Sequence, residues 1–351
     1  MSDWPLSLTV TPIAAMLNFE LADHPIYDGA ELQWFDDDEH GRGMLAFLSR
    51  REGRCVDYYV DRELRLDKAG YHLGGGTRSW NETDFEVARL DVAEDGVDAE
   101  ARFKDVDGRQ IEIRICDRDG RRRRPAGLLA PFGSGIDEPV SLPLVWMPRF
   151  DLVRVTKTPP VIRIDGTLAT TGRLPGARLH KRCLIKYAAP LVAVDLNQTG
   201  DHDSRLERGQ KTEVDGAGRL TRLTATKARH EARVVLQPGM PEPAGIQAGH
   251  LALGRWHVEV DGVRLTGGTW RVRRSTASSA QVEMDVDERW RPGRLPWLMR
   301  VVTTVVPVFR RWPTTYRWFC TVDLDGVPRS RSRWQRTGSG PDRSYRRVTR
   351  S

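Results

Sequence analysis

Lysine, cysteine and long apolar runs are all scarce in this chain. Of its 55 basic residues only seven are lysines: Lys68, Lys104, Lys157, Lys181, Lys186, Lys211 and Lys227. The four cysteines, Cys55, Cys116, Cys183 and Cys320, lie far apart with no C-x-x-C pair, which excludes a zinc ribbon and a disulfide framework. No run approaches the ~18 uninterrupted apolar residues of a spanning helix, so an integral helical membrane protein is excluded. The histidines form no H-x-H or H-E-x-x-H pair, and His257-Val-Glu259 lacks the P-C-x-x-C of a zinc deaminase. There is no G-x-S-x-G nucleophile elbow, and Gly74-Gly-Gly76 lacks the Lys-Ser/Thr and helix of a phosphate loop. Neither a metal nor a cofactor is expected. Met1-Ser2-Asp3-Trp4-Pro5 lacks the basic and apolar regions of a signal peptide, so a reduced cytoplasm is the expected location.

The formal charge of +7 is concentrated in one place. Arg329 to Ser351 holds eight arginines and one acid, Asp342, so this segment accounts for the whole and residues 1–328 are neutral. Nucleic-acid recognition needs basic residues clustered on folded elements beside stacking aromatics. The only basic run in the body, Arg121–Arg124, follows Asp119-Gly120 and reads as a turn tip. A nucleic-acid partner is therefore not expected. The 329–351 segment has almost nothing to bury and reads as a mobile basic tail.

The 351 residues are 39% hydrophobic, enough for a core in two modest domains or one large β architecture. Asp-Gly occurs eight times, starting at Asp28, Asp95, Asp107, Asp119, Asp165, Asp215, Asp261 and Asp325. Both residues tolerate the positive φ of a type I′ turn, so Asp-Gly between alternating apolar stretches predicts hairpins. Phe85–Val92, Val97–Phe103 and Gln110–Ile115 predict a three-stranded meander. Val161–Ile164, Arg178–Tyr187, Ala232–Leu236, Trp256–Val260, Gln281–Val286 and Trp318–Leu324 predict further strands. Helices are expected only around Ile13–Phe19 and over Leu295–Arg311, interrupted at Pro307. The fold class is all-β, in antiparallel meanders forming two barrels or barrel-like sandwiches with one or two short helices. The polar stretch 197–209 suggests a division into an N-terminal segment (1–24), a first β domain (25–197), a second (198–328) and the tail (329–351).

A chain of this length, nearly all β in two strand-rich halves, resembles the tandem lipocalin-like (calycin) proteins that include carotenoid 1,2-hydratase-type enzymes. The resemblance rests on length, on the early strand end Gln33-Trp34-Phe35-Asp36, and on a tryptophan-bearing strand near the start of each half. It covers about residues 25–335 architecturally and transfers no catalytic residue. It implies barrels with an interior cavity and an apolar small-molecule substrate.

Asp36-Asp-Asp-Glu-His40 is the densest acid cluster, without the spacing of a calcium loop, and reads first as a solvated turn. Within it Asp36 and His40 are the preferred reactive pair. Lys186, in the apolar run Cys183–Tyr187, is a candidate desolvated amine, with the alternative that it faces outward while Tyr187 faces in. Tyr58, Trp80, Trp146, Tyr187, Trp256 and Trp270 are the candidate ligand-binding aromatics, and each fits an ordinary core equally well. Leu295–Phe309 is the most apolar stretch, flanked by arginines. It suits either a helix closing one end of a barrel or, with the arginine tail, peripheral contact with an acidic membrane. Three classes remain open: an enzyme that hydrates, isomerises or cyclises a hydrophobic metabolite, a lipid carrier, or a peripheral membrane-interaction protein. The enzyme requires a buried acid with a hydrogen-bonded partner; the carrier requires an apolar cavity without one.

Overall fold

The computed structural model describes residues 4–53, 55–68, 71, 73, 77–131, 138–156, 158–174, 176–203, 209–293, 295–325 and 329–336. The chain opens with β1 (Leu8–Ile13), β2 (Ala15–Glu20), β3 (Tyr27–Asp37), β4 (Gly41–Arg50), β5 (Cys55–Asp61) and β6 (Thr77–Thr83). The predicted meander follows as β7 (Val87–Ala93), β8 (Gly96–Lys104) and β9 (Gln110–Cys116). Then come β10 (Ala126–Ala130), β11 (Leu142–Arg154), β12 (Val161–Ile164), β13 (Thr167–Leu168), the single turn α1 (Ala177–His180), β14 (Arg182–Ala188) and β15 (Leu191–Leu196). The remainder holds β16 (Gly200–Asp203), β17 (Gln210–Val214), β18 (Leu220–Lys227), β19 (His230–Met240), β20 (Leu251–Val260), β21 (Val263–Arg274) and β22 (Ser279–Glu288). Helices α2 (Trp297–Val305) and α3 (Pro307–Arg311) precede β23 (Tyr316–Asp323) and β24 (Arg329–Arg336). Pro307 opens α3, where its missing N–H costs nothing.

Three sheets result. The first has ten strands in the order β1-β15-β11-β14-β2-β3-β4-β5-β6, with β10 on β11. The second has five, β13-β12-β9-β8-β7. The third has nine, β16-β24-β23-β22-β21-β20-β19-β18-β17, and its last eight are neighbours in chain order. Among the described residues the edge strands of the large sheets do not pair with each other, so the sheets pack as sandwiches and not as closed barrels. Asp-Gly steps join β7–β8, β8–β9, β12–β13, β17–β18 and β20–β21, and Gly326 of the Asp325-Gly326 step lies outside the described residues. Asp165-Gly166 (φ 51° and 75°) and Asp261-Gly262 (φ 50° and 76°) have the paired positive φ of a type I′ turn. Asp28-Gly29 instead sits at a register shift inside the β3–β4 ladder, and Asp119-Gly120 lies in the link after β9.

The first sheet is covered on both faces. One face packs Leu17, Phe19, Leu32, Met44, Ala46 and Tyr59 against Val97, Ala99, Phe103, Ile111 and Ile113 of the second sheet. The other shares one core with the third sheet, where Leu8, Val10 and Val192 belong to the same buried cluster as Leu223, Val258, Trp270 and Trp318.

Four expectations are corrected. The Ile13–Phe19 region is strand, because β1 pairs with β15 and β2 is inserted between β14 and β3; long-range ladders outweigh local propensity. Residues 8–20 are accordingly part of the first sheet, not a separate N-terminal segment. Arg178–His180 is a helical turn, and the strand begins at Arg182. Arg123 leaves the basic turn tip and is buried, its Nη2 2.9 Å from Asp117 Oδ1. The supposed mobile tail begins with β24, which pairs along its length with β23 and buries Ser330, Ser332 and Trp334; positions 337–351 lie outside the described residues. The sequence missed β24 because it alternates arginine with serine. The serines face inward, and Ser332 Oγ donates to Gln198 O at 2.7 Å.

Trp334 joins the two halves. Its indole N–H donates to Asn197 O at 2.6 Å and Leu196 O at 3.2 Å, and the side chain is 1% exposed. Trp334→Ala is expected to cost about 3–5 kcal/mol of unfolding free energy, read from urea titration of the full chain. A loss below about 1 kcal/mol would mean that β24 contributes little to the fold.

Candidate functional site

In a sheet packed on both faces, every inward side chain enters a core, including the polar ones. On the face of the first sheet turned toward the shared core, cross-strand partners form a single row. Leu152 is paired with Lys186, Lys186 with Asn18, and Asn18 with Glu31. Glu31 is paired with Phe47, Phe47 with Tyr58, and Tyr58 with Trp80. Seven adjacent strands thus lay a polar segment, Lys186–Asn18–Glu31, end to end with an aromatic one, Phe47–Tyr58–Trp80.

The polar segment is internally bonded. Asn18 Nδ2 donates to Glu31 Oε2 at 3.0 Å, and Gln33 Nε2 donates to Glu31 Oε1 at 2.6 Å. Lys186 Nζ lies 3.1 Å from Glu20 Oε1 and 3.4 Å from Asn18 Oδ1. Burial pushes the Glu31 carboxyl up from its usual 4.5 to about 7, against the two amide hydrogen bonds and the nearby Lys186 charge, which favour ionisation. Although deep in the sheet, Glu31 keeps some accessible surface, as do Asn18 and Lys186.

The aromatic segment is stacked and roofed. Tyr58 lies over Trp80 with centroids 4.4 Å apart, Phe47 follows at 5.3 Å, and Tyr71 stands edge-on to both Tyr58 and Trp80. The roof comes from described residues of the connection between β5 and β6, the only parallel pair among the described strands. From that connection Leu64, Tyr71 and Leu73 enter the core. Tyr58 Oη donates to Leu73 O at 2.7 Å, and Tyr71 Oη donates to Gln33 Oε1. A hydrogen-bonded chain therefore runs from the roof through Tyr71 and Gln33 to the Glu31 carboxyl. Positions 74–76, the three glycines, lie outside the described residues.

The expected reactive pair is not formed. Asp36 is exposed, whereas His40 is buried and its Nδ1 is 2.8 Å from Asp37 Oδ2. Burial alone would raise the Asp37 carboxyl; hydrogen bonds from the His40 backbone and ring, its charge and the Glu39 N–H bring it below the usual range. The other face of His40 meets the second half, with Nε2 3.5 Å from Lys227 Nζ, which also contacts Glu39 at 3.1 Å. This cluster clasps the β3–β4 turn to the end of β18.

Of the candidate aromatics the structure brings together Tyr58 and Trp80. Tyr187 is on the opposite face of the sheet, in the core under the second sheet. Trp146 covers Gly127, where an added Cβ would sit 2.5 Å from its ring, and packs edge-on to Trp290 at 6.4 Å. Trp270 covers Gly254 in the same way and donates to Arg255 O; Trp256 donates to Thr269 O and Asp285 O. All three are filled core positions, and the N–H groups of Trp256 and Trp270 are satisfied. A surface recess of about 700 Å³ lies away from the row, on the outside of the third sheet around Phe319, Arg331 and Arg333. Among the described residues no group of three or more His, Cys, Asp or Glu side chains is placed to hold a metal.

Sequence reasoning missed Glu31, Gln33, Asn18 and Phe47. Alternation marks Asn18 and Glu31 as opposite in facing to Leu17 and Leu32, but an isolated strand assigns such polar positions to water. Only the pairing of β2 and β3 inside a covered sheet turns them inward. The class so defined is an all-β protein of three packed sheets with a carboxyl–aromatic row on the inner face of its first sheet. No family model, no curated protein and no solved structure matches the chain.

The raised carboxyl has a stability consequence of definite sign. Between pH 4.5 and about 7 the folded state holds the Glu31 proton that the unfolded state has released, so this group's contribution to stability falls as pH rises. Glu31→Gln, neutral throughout, is expected to be more stable than the parent at pH 8 by on the order of 1–3 kcal/mol, with the difference shrinking toward pH 5. Denaturant titrations at both pH values check it; a variant less stable at pH 8 than at pH 5, relative to the parent, contradicts it.

Proposed function

We propose that the chain binds an unsaturated hydrophobic small molecule along the inner face of its first sheet and that Glu31 exchanges a proton with it, as in a hydration, isomerisation or cyclisation. The reading is carried by one observation: a carboxyl poised near neutrality lies in the same cross-strand row as three contacting aromatics, of which Tyr58 and Trp80 are stacked. A carboxyl held near 7 is populated in both forms at neutral pH, the condition for a general acid or base. Partly exposed Trp80, backed by buried Phe47 and Tyr58, supplies apolar surface, and ring faces favour positive charge developing on a protonated carbon skeleton. The Asn18 and Gln33 amides and Lys186 favour the carboxylate left after proton donation. In a hydration the Glu31 proton goes to one carbon of a double bond, water supplies hydroxyl to the other, and the proton released by that water restores the acid. The lipocalin-like resemblance agrees in substrate class. A carrier would suit the aromatic segment but gives no role to a hydrogen-bonded acid beside it.

Two variants and a deuterium experiment test this. A fluorescent conjugated polyene alcohol is expected to bind saturably with roughly micromolar Kd and to quench tryptophan emission. Phe47→Ala and Trp80→Leu are expected to weaken it about tenfold, while Glu31→Gln leaves affinity within about threefold. In deuterated water the parent is expected to introduce deuterium into an unsaturated substrate and Glu31→Gln to introduce none. Binding without exchange would leave the carrier; no saturable binding, or equal binding by the Phe47 and Trp80 variants, would overturn the proposal.

A further inference from the structure

We infer that helices α2 and α3 form a docking surface for an anionic lipid bilayer. The inference stands on a different part of the molecule from Glu31 and does not depend on it. Trp297, Val301 and Val305, spaced by one helical turn, form a single stripe that is 61%, 49% and 62% exposed, and Val306 continues it at the joint with α3. The opposite side is anchored: Leu295 and Met299 are buried in the shared core, with Leu298 and Phe309 packed against it. The two threonines of α2 add little polarity, because Thr303 Oγ1 donates to Met299 O at 2.9 Å and Thr304 Oγ1 to Arg300 O at 2.7 Å. The helix is therefore apolar toward the core and apolar toward solvent.

The charge around the stripe has one sign. Between Glu288 and Asp323 the chain contains seven arginines, at 289, 291, 294, 300, 310, 311 and 317, and no acid. Arg317 is held by Asp285, whereas Arg289, Arg291, Arg300, Arg310 and Arg311 are exposed and have no ion-pair partner among the described residues. An exposed apolar stripe flanked by guanidinium groups without a carboxylate partner among the described residues, two of which (Arg300 and Arg310) also donate to backbone carbonyls, matches acyl chains bordered by lipid phosphates. With nine and five residues, the helices are placed to lie in the interface; among the described residues no helix is long and apolar enough to cross a membrane. A second copy of the chain fits less well, since a two-fold contact would set like charges against each other. The surface is firmly based: Trp290 N donates to Trp312 O at 3.1 Å, and Trp290 packs on Trp146 of the first sheet.

The test is co-sedimentation of the full chain with phosphatidylcholine vesicles, with and without phosphatidylglycerol. Binding is expected only to the anionic vesicles and is expected to weaken as salt rises. Trp297→Ser combined with Val301→Ser is expected to lower the partition coefficient about tenfold with the thermal midpoint unchanged, because both side chains are exposed. Arg310→Gln and Arg311→Gln are expected to lower it roughly fivefold each at low salt. Three results would overturn the inference: no binding to anionic vesicles, undiminished binding by the Trp297/Val301 variant, or a concentration-dependent dimer of the parent that the same variant abolishes.

Discussion

The first sheet is covered over most of both faces, and much of the molecule follows from that. An antiparallel sheet with one wet face can send alternate residues to water. Here both sets are claimed, one by the second sheet and one by the core shared with the third. Each polar side chain on it must find a partner inside or remain at a penalty. Asn18, Glu31, Gln33 and Lys186 respond by bonding to one another, and the acid among them is held toward its neutral form. The raised carboxyl is thus a product of burial; the same residue on a solvated sheet face would be hydrated and ordinary.

Sharing a core also makes the two halves interdependent. Trp4 donates to Met240 O, Asn197 Nδ2 reaches Met284 Sδ, and the Trp334 indole closes on the carbonyls of Leu196 and Asn197. At the periphery His40, Asp37, Lys227 and Glu39 add a charged clasp. These contacts fix the third sheet against β1 and β15, so the face of the first sheet away from the second sheet is enclosed by the partner half as well as by its own β5–β6 connection. Loosening the seam would hydrate that enclosure and with it the cause of the raised Glu31 carboxyl.

Tryptophan serves four distinct ends in this fold. Trp146 and Trp270 fill the space above glycines on neighbouring strands, compensating for a missing side chain. Trp256 and Trp334 are satisfied by backbone carbonyls within the core. Trp80 stacks at the end of the polar-to-aromatic row, and Trp297 faces solvent. Residue type alone does not separate these roles; the atoms on the other side of the ring do.

Local chemistry in the chain was enough for the strands of the meander, for the Asp-Gly hairpins and for the all-β class, because period-two alternation and positive-φ turns are properties of neighbouring residues. It was enough for a helix at 297–305 and its break at Pro307, for the same reason. It was not enough for β1, β2 or β24, whose strand character comes from partners such as Leu191–Leu196 and Tyr316–Asp323, distant in sequence for the first two. Nor was it enough for the site. Asp36 and His40 are close in sequence, yet the turn aims His40 at Asp37 and leaves Asp36 in water. Glu31 reads as a solvated strand residue until β2, β3 and β4 are placed side by side with both faces covered. Which residues can alternate is written in the chain; which alternate face is buried, and so which carboxyl is desolvated, depends on sheets contributed by residues up to three hundred positions away.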